Sequence, residues 1–190
     1  MLEFFVMLKQ RKIFAFFFLG LVIGCAWFRA EKAGAAVAER YDENKIIDAD
    51  RLRKGGTIFV VPFKAGPNIQ ATIQLDHIAL MIVKGIADEV NQVQSPLRIL
   101  TAENKDYADF LIQGHIVLLS EPHGLQKWSL GKKKKSLAVK GYMIDQKTRK
   151  KILLFSQQKE ASLKHESYDD LGWGIGSDIG KFILEGQRSP

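Results

Sequence analysis

The spacing of hydrophobic positions changes along the chain, and each change marks an element. Residues 57–63, Thr57-Ile58-Phe59-Val60-Val61-Pro62-Phe63, are β-branched and aromatic without interruption and end on Pro, the pattern of a buried strand. Lys54-Gly55-Gly56 punctuates its start and residues 65–68 form a loop. From 72 to 93 the period becomes helical. Ile73, Leu75, Ile78, Ala79, Ile82, Val83, Ile86, Ala87 and Val90 fall on one face at helical steps of three and four, with Asp76, Lys84, Asp88 and Glu89 on the other side, until Ser95-Pro96 stops the helix. A short strand follows at 97–100, a short helix at 103–108 and a third strand at 109–120. After a loop at 121–135, strands at 137–144 and 151–158 flank the turn-rich 145–150, a hairpin in which Leu137, Val139, Gly141 and Met143 share one face. The last helix runs from 168 to 185. The order β-α-β-(α)-β-β-β-α predicts an α/β fold with helices packed on a mixed β-sheet.

Gly172, Gly176 and Gly180 recur at steps of four, so on a helix they line one face and let its backbone approach the sheet closely. The same glycines do not make a nucleotide loop. Ser177 stands where GxGxxG needs its last glycine, and a polar loop rather than a strand precedes them.

Composition changes the picture mainly at the amino end. The basic cluster Lys9-Gln10-Arg11-Lys12 precedes an apolar run that ends in Val22-Ile23-Gly24-Cys25. A positive segment, about a dozen apolar residues and small residues before a cut site describe a secretory signal. The last four residues are similar to the lipobox of bacterial lipoproteins. That resemblance implies cleavage before Cys25, diacylation of its thiol and acylation of the new amino terminus. Cys25 is the only cysteine, which leaves no partner for an intramolecular disulfide. The competing reading is an uncleaved inner-membrane anchor, but the run 13–28 falls short of the ~20 residues that span a bilayer. Ala26 is not the Asp associated with inner-membrane retention, so the resemblance points to the periplasmic face of the outer membrane. Met7-Leu8-Lys9 would also serve as a start. The expected organisation is a signal peptide at 1–24, a lipidated amino terminus and tether at 25–53, and a periplasmic α/β domain at 54–190.

The whole chain carries a formal +7, and the signal accounts for a net +2 of it through Lys9, Arg11, Lys12 and Glu3. A basic balance suits anionic headgroups or an acidic partner, and equally serves solubility. A protein routed out of the cytoplasm is not expected to meet nucleic acid. The densest charge is Lys132, Lys133, Lys134 and Lys135, a candidate contact for an anionic surface at ~1 kcal/mol per lysine. Its plainer role is to protect a hairpin edge. Trp128 lies close to it in sequence.

His77, His115, His123 and His165 make no ligand pair at helical spacing, and no cysteine cluster completes a metal site. His115 reads as a core or sheet-face residue. Neither GxSxG nor another hydrolase signature occurs. No metal, cofactor or catalytic activity is expected.

Two further stretches carry a family likeness. Ala108-Asp109-Phe110-Leu111-Ile112-Gln113-Gly114-His115-Ile116 and Gly141-Tyr142-Met143-Ile144-Asp145-Gln146-Lys147-Thr148 resemble the AD-strand and D-x-K-T-G hairpin of one superfamily. That superfamily includes the lipoproteins CsgG and LpoB and the amino-terminal domain of TolB. The resemblance implies an α/β domain that binds other envelope proteins or forms a homo-oligomeric ring. Arg149 stands where the pattern has Gly, which predicts a longer or differently shaped turn. The surplus alternating strands of a CsgG-like pore are not found. The expected role is a non-enzymatic, membrane-anchored assembly or regulatory factor with an envelope protein partner, or alternatively a ring subunit.

Overall fold

The computed structural model describes residues 43–70, 72–100, 102–120, 135–161 and 165–188. Seven strands form one mixed sheet: β1 (Lys45–Ile46), β2 (Gly56–Val60), β3 (Lys64–Ala65), β4 (Leu97–Ile99), β5 (Phe110–Ser120), β6 (Ser136–Asp145) and β7 (Lys151–Glu160). The helices are α1 (Ala49–Arg53), α2 (Ile73–Gln92) and α3 (Tyr168–Arg188), with a 3₁₀ helix at Ala102–Tyr107. Across the sheet the order is β1-β7-β6-β5-β2-β4, and β3 pairs with β5.

The connections follow from strand direction. Parallel neighbours need a crossover, and α2 supplies it between β2 and β4. Thr72 caps that helix by accepting the Leu75 N–H at 3.3 Å, and the extended Val93 ends it ahead of Ser95-Pro96. β5, β6 and β7 form an antiparallel meander. The expected α/β architecture is the one observed.

The three helices cover one face of the sheet. Leu52 of α1, Ile78, Ile82 and Ile86 of α2, and Ile175, Ile179 and Ile183 of α3 share a core with Ile58, Phe110, Ile112, Ile116, Val139 and Met143. Burying each such aliphatic side chain contributes ~1.5–3 kcal/mol. Gly114 and Gly141 are register partners in this face, and a side chain at either would enter the ring of Phe63 or Phe155. Those two rings pack 5.9 Å apart over the glycine pair.

Four details depart from the sequence reading. Lys45–Ile46 and Ala49–Arg53, in the stretch expected to be tether, add an edge strand and a helix to the fold. The loop expected at 65–68 begins within β3, which pairs Lys64 with His115 and Ala65 with Ile116. Gly172, Gly176 and Gly180 do line one face of α3, but they meet α2 and not the sheet. A Cβ on Gly176 would lie 2.2 Å from the Ile82 carbonyl oxygen, and one on Gly85 of α2 would lie 2.2 Å from that of Trp173. Gly172 faces Ile78 and Gly180 faces Ile86 and Glu89, so the two helices run parallel. The crossover geometry explains this, since α2 and α3 share one face of the sheet and their nearest surfaces are each other's. Finally, the turn after Asp145 stays short. Arg149 takes a left-handed φ of 60°, its N–H reaches the Asp145 carbonyl at 2.8 Å, and Asp145 N–H pairs with Lys150 at 3.0 Å.

Candidate functional site

With the helices on one side, the opposite face of the sheet is covered by no described element. Alternation along the strands puts Phe59 of β2, Leu111 of β5, Tyr142 and Ile144 of β6, and Leu154 of β7 on it. All five are only half-buried and none belongs to the core cluster. A register shift between Ile116 and Leu118 adds two exposed apolar residues, Val117 and Leu118, at 36% and 37% of their full area. Such a bulge re-aims side chains locally.

The polar positions of this face are strongly one-signed. Lys45 is the partner of Leu154, Lys64 of His115, Arg98 of Thr57, Lys140 of His115 and Lys151 of Ile144, so five cations and a histidine lie on the face. Lys151 lies over the Tyr142 ring at 5.2 Å, and the Tyr142 hydroxyl donates to Gln113 at 2.9 Å. Of the carboxylates near these strands, Glu160 lies at the far end of β7. Asp109 precedes β5 and accepts the Thr57 N–H at 2.8 Å and its hydroxyl at 2.9 Å.

The helix layer is mixed in charge: α2 and α3 carry seven carboxylates, Asp76, Asp88, Glu89, Asp169, Asp170, Asp178 and Glu185, against Lys84, Lys181 and Arg188, with Lys159 of β7 and Lys135 packed beside α3. Two large apolar side chains are exposed there, Leu80 at 51% and Trp173 at 43%. Trp173 donates its indole N–H to Asp88 at 2.9 Å. A cleft of about 520 Å³ opens beside it, lined by Lys159, His165, Glu166, Asp170, Trp173 and Gly174. Its polar groups bond within the fold: Lys159 reaches the Gly174 carbonyl at 3.0 Å and Asp178 at 2.9 Å. Ser167 donates to Asp170 through both its N–H, at 2.8 Å, and its hydroxyl, at 2.7 Å, and these bonds hold the Asp170 carboxyl below its usual pKa.

The residues singled out in the sequence fall in different places. Cys25, Trp128, His123 and Lys132, Lys133 and Lys134 lie outside the described residues. Lys135 is described and half-buried. Its ammonium donates to the Glu166 carbonyl at 3.0 Å and sits 5.6 Å from the Tyr168 ring, at the start of α3. His115 is on the open sheet face and exposed. His77 pairs with Asp169 of α3 at 3.0 Å rather than with its sequence neighbour Asp76. Among the described residues no three acidic, His or Cys side chains converge as metal ligands, and no buried side-chain polar atom lacks a partner.

The two family-like stretches meet at one end of the sheet. Asp145, 2% exposed, receives the Arg51 Nε of α1 at 2.5 Å and the Thr148 N–H at 2.7 Å. Arg51 also stacks 4.1 Å over Phe110 and donates to the Gly55 carbonyl at 3.1 Å. Burial raises the Asp145 pKa, but the Thr148 N–H and Arg51 outweigh it and hold the carboxyl below its ordinary value. Just before β5, the Asp109 carbonyl accepts the Gln146 N–H at 2.8 Å. These motifs latch α1, β2, β5 and the β6–β7 turn together. Sequence reasoning singled out the motifs and missed Arg51, whose contact with Asp145 spans 94 positions.

No family model matches the chain, and no curated protein sequence matches it. Solved structures do. The PelC dodecamer of Paraburkholderia phytofirmans superposes with a TM-score of 0.51 at 8% identity, over 74% of this chain and 92% of that one. The chain shares the fold of PelC. A point variant of the PelC dodecamer gives 0.50 at 9% identity, over 68% and 90% of the two chains. A lipoprotein of Neisseria meningitidis is more distant, at 0.37 and 10% identity over 70% and 99%. At these identities the likeness to PelC is one of fold. The structures named here are not CsgG, LpoB or TolB, and of that resemblance the α/β fold is what the structure carries.

Proposed function

We propose that this chain is a lipid-anchored protein of the bacterial envelope that acts by binding rather than catalysis, as a subunit of a homo-oligomeric assembly. The observation that carries the reading is the sheet face that no described element covers. It bears half-buried apolar side chains, the exposed Val117 and Leu118 and five cations, and the fold is shared with a protein that crystallised as a dodecamer. Apolar surface of that kind on one face suits an interaction surface. The lipobox-like Val22-Ile23-Gly24-Cys25 supports the anchor, with the signal at 1–24 removed and the domain facing the periplasm from the outer membrane. No helix among the described residues is long and apolar enough to cross a membrane. The non-enzymatic part rests on what the two family-like motifs do, since Asp109 and Asp145 hold strands and turns.

Light scattering on the full chain, extracted from a bacterial envelope in mild detergent, tests the reading. A defined oligomer of several copies is the expected result. A monomer across the micromolar range would remove the assembly role and leave a monomeric binding factor.

A further inference from the structure

We propose that the open sheet face rests on an anionic phospholipid bilayer, the one that holds the lipid anchor. This rests on the lipid-anchor part of the reading above and names what the exposed face meets. Lys45 of β1, Lys64 of β3 and Arg98 of β4 supply the charge. Each is exposed, each lies on the open face by its strand register, and none makes a hydrogen bond or ion pair within the described residues. Lys140 and Lys151 lie on the same face but have partners within the fold, so the contact does not depend on them. Glu43, just before β1, and Glu160, at the far end of β7, are the carboxylates at its border, and Asp109 is taken by Thr57.

The placement of these groups suits a plane of headgroups rather than a single ligand. β1 and β4 are the two edges of the sheet, and β3 lies against β5 between them. At ~4.8 Å per strand, the cations are spread over about 25 Å. Between them the half-buried Phe59, Leu111, Ile144 and Leu154 form an apolar floor, and Val117 and Leu118 stand out from it at 36% and 37% exposure. Long cationic side chains reach headgroup phosphates while their stems lie along apolar surface, and each cation near an anionic bilayer adds to the attraction. The course of the chain favours a bilayer over an acidic protein. The described chain enters at Glu43, just before Lys45, so an anchor at Cys25 is tied to an edge of this face. Residues 26–42 span at most ~60 Å, which keeps the face at high effective concentration near lipid, where a weak contact suffices. A ring is compatible with this contact. Copies related by rotation about the membrane normal all turn the same face to the bilayer and meet through other surfaces.

The test uses the full lipidated chain, reconstituted into vesicles of phosphatidylcholine alone and of phosphatidylcholine with phosphatidylglycerol. Brief acylation of exposed lysines by a water-soluble reagent, read by mass spectrometry, reports which face is covered. Lys45 and Lys64 are expected to react roughly threefold or more slowly on the anionic vesicles than on the neutral ones or in detergent. Lys84 and Lys181, exposed on α2 and α3, are expected to react equally in all three. Lys64→Glu with Arg98→Glu is expected to return Lys45 to its rate in detergent, with thermal melts followed by circular dichroism checking that the variant is folded. Unchanged rates for Lys45 and Lys64, in protein that floats with the vesicles, overturn the bilayer contact and leave the anchor standing. Equal slowing on neutral and anionic vesicles overturns the recognition of anionic headgroups. Slowing that appears in detergent and grows with protein concentration assigns the face to a second copy and overturns the proposal. Protein that floats with neither kind of vesicle removes the anchor, and the bilayer contact with it.

Discussion

At Asp145 a carboxylate that burial alone would make easier to protonate is kept charged by neighbours positioned by its own turn and by α1. Because its folded pKa lies below the unfolded value of about 3.9, its contribution is present above that pH and is lost as pH falls through the folded value. Asp145→Ala leaves the Arg51 guanidinium and the Thr148 N–H without their acceptor. Arg51 is a quarter exposed, which limits the loss to about 2–3 kcal/mol, read as a lower urea midpoint at pH 7. The same titrations at pH 3 should show a smaller gap between variant and wild type; an equal gap would mean the charge contributes nothing. Arg149 offers the opposite sign. Its left-handed backbone costs an L residue ~1–2 kcal/mol, so Arg149→Gly is expected to raise stability by up to ~1 kcal/mol after glycine's entropy is counted. A lower melting temperature in that variant would show that the Arg149 side chain does more than close the turn.

Among the elements, the parallel pairing of α2 and α3 depends on a few glycines. Gly176→Ala pushes a methyl into the backbone of α2, where neither partner has a flexible end to move. A loss of ~3 kcal/mol is expected. Gly174→Ala is the control, because its Cβ would meet only the outer part of the Lys159 side chain, Nζ at 2.9 Å and Cδ at 3.2 Å, which can shift at the cost of loosening its bonds to the Gly174 carbonyl and Asp178. Replacing a helix-interior glycine by alanine gains ~1 kcal/mol in propensity, so the control is expected to be neutral or stabilising. Comparing the two melts separates close approach from helix propensity, and similar losses in both would argue against the glycine contact. This is also where reading the chain in one dimension stops. A spacing of four shows that three glycines share a face, but the surface that face meets depends on which other helix lies on the same side of the sheet.

Among the described residues five cations lie on the sheet face away from the helices, and an assembly held in part by charge should weaken with salt. Raising the concentration from 50 mM to 500 mM shortens the screening length to well under 10 Å. The expected result is a shift toward monomer in sedimentation velocity, and an unchanged or larger oligomer would mean that apolar contacts dominate. At the amino end, the intact mass of envelope-purified protein should correspond to Cys25 to Pro190 plus acyl groups. Cys25→Ser should retain residues 1–24. If both keep the amino-terminal segment without lipid, the anchor is an uncleaved helix.

The sequence by itself determined the α/β class, the long strands and both long helices, because each is wide enough to display its own period. Ser95-Pro96 marked the end of α2 as read, and the structure adds Thr72 as the cap at its start, since capping and Pro chemistry act within one turn. Only tertiary structure decided the rest. β1 and β3 are two residues long and show no period; they exist because β7 and β5 offer them an edge. The Arg51–Asp145 pair joins residues far apart in the chain and leaves no local signature. The open basic face is the same kind of fact, since Lys45, Lys64, Arg98, Lys140 and Lys151 are scattered along the chain. They become one surface when strand pairing aligns them and every described helix packs on the other side.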